Sequence, residues 1–162
     1  MEAYNLVLAS EWTVADFRSQ CCELEPLDVA DDGHCGYRVL CEGLTGFEAD
    51  DDDVQQLRRR FWHYLDRQAS VDFPHISERT WTRAKERVFS GGKLPCPQEK
   101  LRPGGLEQWL SNDDLPWMAQ MLQAIICVCD SARSEGWQTY IPAKFVNVED
   151  RPLIGLWHTP GH

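Results

Sequence analysis

The sequence predicts an α+β fold, on three observations. Helical periodicity fills the first two thirds of the chain, short apolar strand patterns fill the last third, and a breaker-rich loop lies between them. At 162 residues the chain is the size of one domain. Residues 1–162 are read as a single unit, because neither flank of the loop could build a core alone. A domain of that size buries roughly 70% of the surface its unfolded chain exposes, so it needs no metal or disulfide to fold.

The elements follow in order. Asp32-Gly33 is a tight turn that leads into a helix beginning at Cys35, with Tyr37, Val39 or Leu40, and Leu44 spaced for burial. The run Asp50–Asp53 reads as the next helix start, since acidic residues suit the positive end of a helix dipole. Val54, Leu57, Phe61, Trp62 and Leu65 then recur at helical spacing. A further helix carries Trp81, Ala84, Val88 and Phe89 on one side. Ser90–Pro97 and Arg102–Gly105 are rich in glycine and proline and form an internal loop. The stretch Leu106–Leu122 is helical in its second half, with Leu115, Met118, Ala119 and Leu122 on one face. Asn112 or Asp113 is the expected cap, and Pro116 sits in the first turn, where its missing N–H costs little. Ala124–Cys129 is short and apolar on both sides, the pattern of a central strand. Thr139–Val148 and Leu153–Trp157 are two further strands, separated by the turn-like Glu149-Asp150-Arg151-Pro152.

Composition narrows the function classes. Apolar residues are 43% and charged residues 26%, values of a folded domain and not of a disordered chain. No stretch is apolar for long enough to span a membrane, and Met1–Asn5 lacks the basic start and apolar core of a secretion signal. Sixteen basic against 26 acidic residues give a net charge of −10, which disfavours a nucleic-acid partner and suits a basic peptide or protein. The seven Cys are odd in number, and Cys21 and Cys22 are adjacent, so a reducing compartment, cytosol or nucleus, is expected. Cys127 and Cys129 lie in an apolar run, as buried thiols do. No Cys-x-x-Cys pair exists, which argues against zinc.

The chemistry concentrates at Asp31-Asp32-Gly33-His34-Cys35-Gly36-Tyr37-Arg38. A thiol at a helix N-terminus faces unpaired backbone N–H groups and the positive dipole end, both of which favour the nucleophilic thiolate. The same N–H groups can hold the oxyanion of a tetrahedral intermediate. Such a nucleophile needs an imidazole brought by the fold. His34 adjoins Cys35 in sequence, so its ring is expected to point elsewhere. His63, within a helix among aromatic residues, and His75, ahead of Ile76, read as structural. His158 and His162 remain, at the end of the last strand and beyond a Pro-Gly turn.

With these residues in view, the chain resembles the ovarian tumour (OTU) family of cysteine proteases, the papain-like deubiquitinases. Three separated blocks carry the resemblance: Asp32-Gly33-His34-Cys35-Gly36-Tyr37-Arg38, then Trp109-Leu110-Ser111-Asn112-Asp113-Asp114-Leu115-Pro116-Trp117-Met118-Ala119, then Pro152–Trp157 leading to Gly161-His162. Their order spans nearly the whole chain, and the wording is most similar to OTU domains of viral polyproteins and mobile elements. The resemblance implies an OTU-like (papain-like) fold, a small mixed central sheet flanked by helical lobes. It implies Cys35 as nucleophile, His162 as general base, and Asp32 as support for the loop that forms the oxyanion hole. Trp109, His34 and Asn112 are the candidate substrate-binding residues. In the family an acidic or amide residue two places after the His orients the ring; this sequence stops at His162. Asp28 is the one upstream substitute to name, and a solvated charge is its simpler role.

The activity implied is removal of ubiquitin or a ubiquitin-like modifier from proteins, without cofactor or metal. The domain is expected to be monomeric and excised from a larger protein, with no nucleic-acid or membrane partner. Its setting would be the cytoplasm or nucleus, or the host cytoplasm for a viral protein. Two alternatives are a polyprotein-processing protease and a non-catalytic ubiquitin-binding module. The segment around Trp12 carries no reading.

Overall fold

The computed structural model describes residues 2–7, 34–101, 109–130, 137–144 and 153–160. Four strands form one mixed sheet: β1 (Glu2–Val7), β2 (Ile125–Asp130), β3 (Trp137–Tyr140) and β4 (Leu153–Pro160), in the order β1-β4-β2-β3. β4 runs parallel to β2 and antiparallel to β1, while β3 is antiparallel to β2. The two interior strands, β2 and β4, are the apolar ones. Ile126, Val128, Ile154 and Leu156 are buried on one face and Cys127 and Leu153 on the other, which is why neither strand shows the alternation of a half-exposed strand.

The fold is α+β, as predicted, but its order along the chain differs at one end. Glu2–Val7 is a strand that pairs with the last one, from Glu2 opposite Pro160 to Val7 opposite Gly155. Six residues of weak alternation give little periodic signal, so the edge strand was not anticipated. The strand predicted from Thr139 begins at Trp137 and stops at Tyr140, ahead of Pro142, which cannot donate to a ladder. Residues 145–152, with the rest of that prediction and the turn after it, lie outside the described residues, as do 102–108 of the predicted loop and the Trp12 segment.

Among the described residues there are five α-helices, of which the first and last pack on the sheet: α1 (Cys35–Thr45), α2 (Asp51–Arg67), the single turn α3 (Ala69–Asp72), α4 (Glu78–Val88) and α5 (Leu115–Leu122). α1 packs on β1 and β4. Tyr37, Val39 and Leu40 are buried as expected, whereas Leu44 is 37% exposed because it lies at the C-terminal end, just before the helix stops at Gly46. Gly46 takes φ 75°, and its N–H closes on the Glu42 carbonyl at 2.8 Å. The acidic run does begin α2. Asp50 accepts the Asp53 N–H at 2.8 Å, and Asp53 accepts the Asp50 N–H at 3.1 Å, a reciprocal capping box. Val54, Leu57, Phe61 and Leu65 face inward, and Arg58 is buried among them.

α4 buries Trp81, Ala84 and Val88, while Phe89 is not helical but the extended residue that ends it. Trp81 meets Trp117 of α5 edge-on, with ring centroids 4.8 Å apart. Ser111, not Asn112 or Asp113, is the capping residue: it caps the 3₁₀ turn that leads into α5, whose own N-cap position, Asp114, makes no side-chain cap bond. The Ser111 hydroxyl accepts the Asp113 N–H at 3.2 Å, and Asp114 accepts the Ser111 N–H at 3.1 Å. A 3₁₀ turn at Asn112–Asp114 shifts the capping position one residue earlier. Leu115, Met118, Ala119 and Leu122 form the buried face, with Pro116 in the first turn. Among the described residues no helix is long and apolar enough to cross a membrane.

Candidate functional site

Cys35 is the first residue of α1, and its side chain is 4% exposed. Two close approaches fix the helix that carries it. A Cβ on Gly36 would lie 2.8 Å from the Leu110 Cβ and 3.0 Å from its Cδ2, so only glycine lets residue 110 seat against the first turn. A Cβ on Gly43 would lie 2.7 Å from the Ile154 Cγ2, so α1 rests equally closely on β4. The three sequence blocks singled out above are thus brought onto one helix. The first begins it, the second covers its N-terminal turn, and the third supports its far end.

The N-terminus of α1 differs from that of α2. His34 stands at the cap position but makes no side-chain cap hydrogen bond, and the first turn holds no acidic residue. The ring points elsewhere, as expected for a neighbour of Cys35. Arg58 Nε donates to His34 Nδ1 at 3.1 Å, and Arg58 Nη2 is 2.8 Å from the same nitrogen. Arg58 Nη1 donates to the Val88 carbonyl at 2.9 Å, and its guanidinium carbon lies 4.0 Å from the centre of the Tyr37 ring. Burial pushes the Tyr37 phenol well above its ordinary range, against the pull of Arg58.

Arg38, three residues after the thiol, donates to the Ala49 carbonyl at 3.1 Å and to Asp51 at 2.6 Å, tying α1 to the start of α2. On the next turn Cys41 is a structural thiol. Burial, with Asp53 and Glu42 adding to it, pushes its pKa from 9.0 to about 12. Asp114, 1% exposed, is paired with Arg87 at 2.6 Å, and burial still raises its carboxyl above the ordinary range.

Two cavities flank this region. One of about 350 Å³ is lined by His34, Gln55, Arg58, Ser90, Lys93 and Lys100, with Val88, Phe89 and Leu94 among its apolar walls. The Gln55 Oε1 there is buried without a hydrogen-bond partner among the described residues. A wider groove of about 750 Å³ is lined by Asn112, Asp113, Trp117, Tyr140, Arg83 and Arg87 among others.

The predicted site residues are therefore placed as follows. Cys35 and His34 are at the opening of α1, and Trp109 is half-buried beside Leu110, which covers that turn. Asn112 is exposed and lines the wider groove. β4 sets His158 opposite Tyr4 of β1 and Asp130 of β2 in register. Asp32, Asp28 and His162 lie outside the described residues. His63 is exposed within α2, against the edge of Trp62, and His75 is exposed before α4, away from the Cys35 turn. No group of three metal-ligating side chains occurs among the described residues.

Arg58 and Leu110 are the residues that sequence reasoning missed. Arg58 had a signal: it lies four residues after Val54 and three before Phe61, on the apolar stripe, where a cation needs an explanation. No family model, no curated protein and no solved structure matches the chain.

Proposed function

We propose that the protein is a thiol-dependent deubiquitinase of OTU-like fold, hydrolysing the peptide or isopeptide bond after the C-terminal tail of ubiquitin or a ubiquitin-like modifier. The observation that carries this reading is the convergence on α1 of the three blocks that resemble the family, with Cys35 as the first residue of that helix.

In this reading the Cys35 thiolate attacks the carbonyl carbon of the modifier's last residue, and the oxyanion is held by N–H groups at the start of α1. The C–N bond breaks, the amine leaves with the proton that His162 took from the thiol, and a thioester remains on Cys35. Water, deprotonated by the same imidazole, attacks the thioester. The modifier leaves as a free acid and the thiol is restored. Asp32 supports the loop before Cys35, and Trp109 walls the channel for the tail. The net charge of −10 attracts a basic tail.

Turnover of a fluorogenic ubiquitin C-terminal amide tests the reading. The wild type is expected to cleave it, and Cys35→Ala to lose about 10³-fold or more in rate. His162→Ala should abolish turnover while His158→Ala does not. Ubiquitin binding without turnover would contradict the reading in favour of a binding module. Cleavage only of the protein's own precursor would contradict it in favour of polyprotein processing.

A further inference from the structure

We infer that Arg58 is a positioning residue for the Cys35 turn: it holds His34 in a single tautomer, and with it the residue that opens α1. This deepens the proposed function and rests on Cys35 being the nucleophile.

The guanidinium reaches His34 with two of its nitrogens, Nε at 3.1 Å and Nη2 at 2.8 Å, both on Nδ1. A guanidinium has donors only. Nδ1 must therefore present its lone pair, and the ring proton sits on Nε2. A second proton on Nδ1 would set N–H against N–H of a cation. His34 is thereby removed as a candidate base and becomes a fixed part of the frame. Its carbonyl is fixed too, because it accepts the Arg38 N–H at 2.9 Å, at the start of α1.

The same side chain spans three elements. It comes from α2, binds the Val88 carbonyl at the end of α4 at 2.9 Å, and lies over Tyr37 in the first turn of α1. Arg58 is 2% exposed and interrupts an apolar stripe that a leucine would continue. Burying a guanidinium costs free energy that leucine would not, and what it provides here is a planar fork aimed at one ring nitrogen. A lysine could supply the charge but not the fork. The charged neighbours on the shared cavity are Lys93, Glu99 and Lys100 from the loop after α4, and Cys35 follows on α1 itself.

Nitrogen-15 spectra of the histidine rings at neutral pH test the tautomer in the wild-type protein, with His34→Asn identifying the resonance. A bare Nδ1 and a protonated Nε2 are expected; an Nδ1–H tautomer or an imidazolium would overturn the inference. In Arg58→Lys, kcat on the ubiquitin amide should fall about 10–100-fold while KM stays within about twofold, as for a misplaced but unbroken site. Unchanged kcat in the folded variant would overturn it.

Should Arg58→Lys fail to fold, the His34 pair decides. His34→Asn offers Arg58 an oxygen acceptor near the place of Nδ1 and should retain about tenfold more activity than His34→Ala; equal loss in both refutes the role. If the wild type turns over no ubiquitin, the functional proposal fails separately. The tautomer, and the rate at which iodoacetamide alkylates Cys35 in the same variants, still decide the role of Arg58.

Discussion

Gly43→Ala sets two effects of opposite sign against each other. Alanine in a helix interior is favoured over glycine by about 1 kcal/mol. Against that, the added methyl would lie 2.7 Å from the Ile154 Cγ2, 3.2 Å from its Cγ1 and 3.4 Å from its Cβ. Ile154 cannot yield easily. It is 1% exposed, stiff at χ1, and held opposite Ile126 on β2, next to Gly155, which pairs with Val7 of β1. Overpacking of this kind costs about 1–3 kcal/mol, and a contact below 3.0 Å belongs in the upper part of that range. The clash wins by about 1–2 kcal/mol, so Tm should fall by about 2–8 °C for a domain of this length. Circular-dichroism melts and urea titrations read it directly. Ile154→Ala alone costs about 2–5 kcal/mol, and the double variant should be less unstable than the sum by about 1 kcal/mol or more, because the new methyl enters the vacated space. A higher Tm for Gly43→Ala, or strict additivity with Ile154→Ala, would refute the close packing of α1 on β4.

The same structure sets outcomes at three further sites. Asp50→Ala removes one half of the capping box of α2 and should cost about 1 kcal/mol in a urea titration, while Asp50→Asn should cost a few tenths. Arg87→Ala leaves Asp114 buried without its partner and should cost about 3 kcal/mol, whereas Arg87→Ala combined with Asp114→Ala should cost less than the single change; equal or additive losses would contradict the pairing. Cys41 should resist iodoacetamide at pH 8 while the exposed Cys96 reacts. Because its folded pKa of about 12 lies above the ordinary 9.0, the stability it contributes is whole below pH 9 and is lost as pH rises toward 12. The urea midpoint of the wild type should therefore drop more between pH 8 and 10.5 than that of Cys41→Ala.

What the sequence made legible follows the strength of each local signal. Asp50–Asp53 ahead of a helical stripe located α2, and the doubly apolar Ala124–Cys129 located an interior strand, because both patterns span whole elements. Glu2–Val7 went unread because an edge strand six residues long owes its place to pairing with β4, a contact with no local signature. Ser111 takes the capping role from Asn112 and Asp113 because a 3₁₀ turn precedes α5 and Asp114 closes the reciprocal bond to the Ser111 N–H. At the site, the position of Cys35 at a helix start was visible in Asp32-Gly33-His34-Cys35. The seating of Leu110 on Gly36 and the Arg58 fork on His34 were not, since each joins residues far apart in the chain.

The role proposed for Cys35 is that of a nucleophile aimed at the tail of a ubiquitin-like modifier. Ubiquitin carrying a C-terminal electrophile, incubated with the wild-type protein and followed by peptide mass spectrometry, tests it most directly. A covalent adduct on Cys35 alone, absent in Cys35→Ala and retained in Cys96→Ser, is the predicted result. An adduct on Cys96 instead, or none while the protein remains folded, would contradict it.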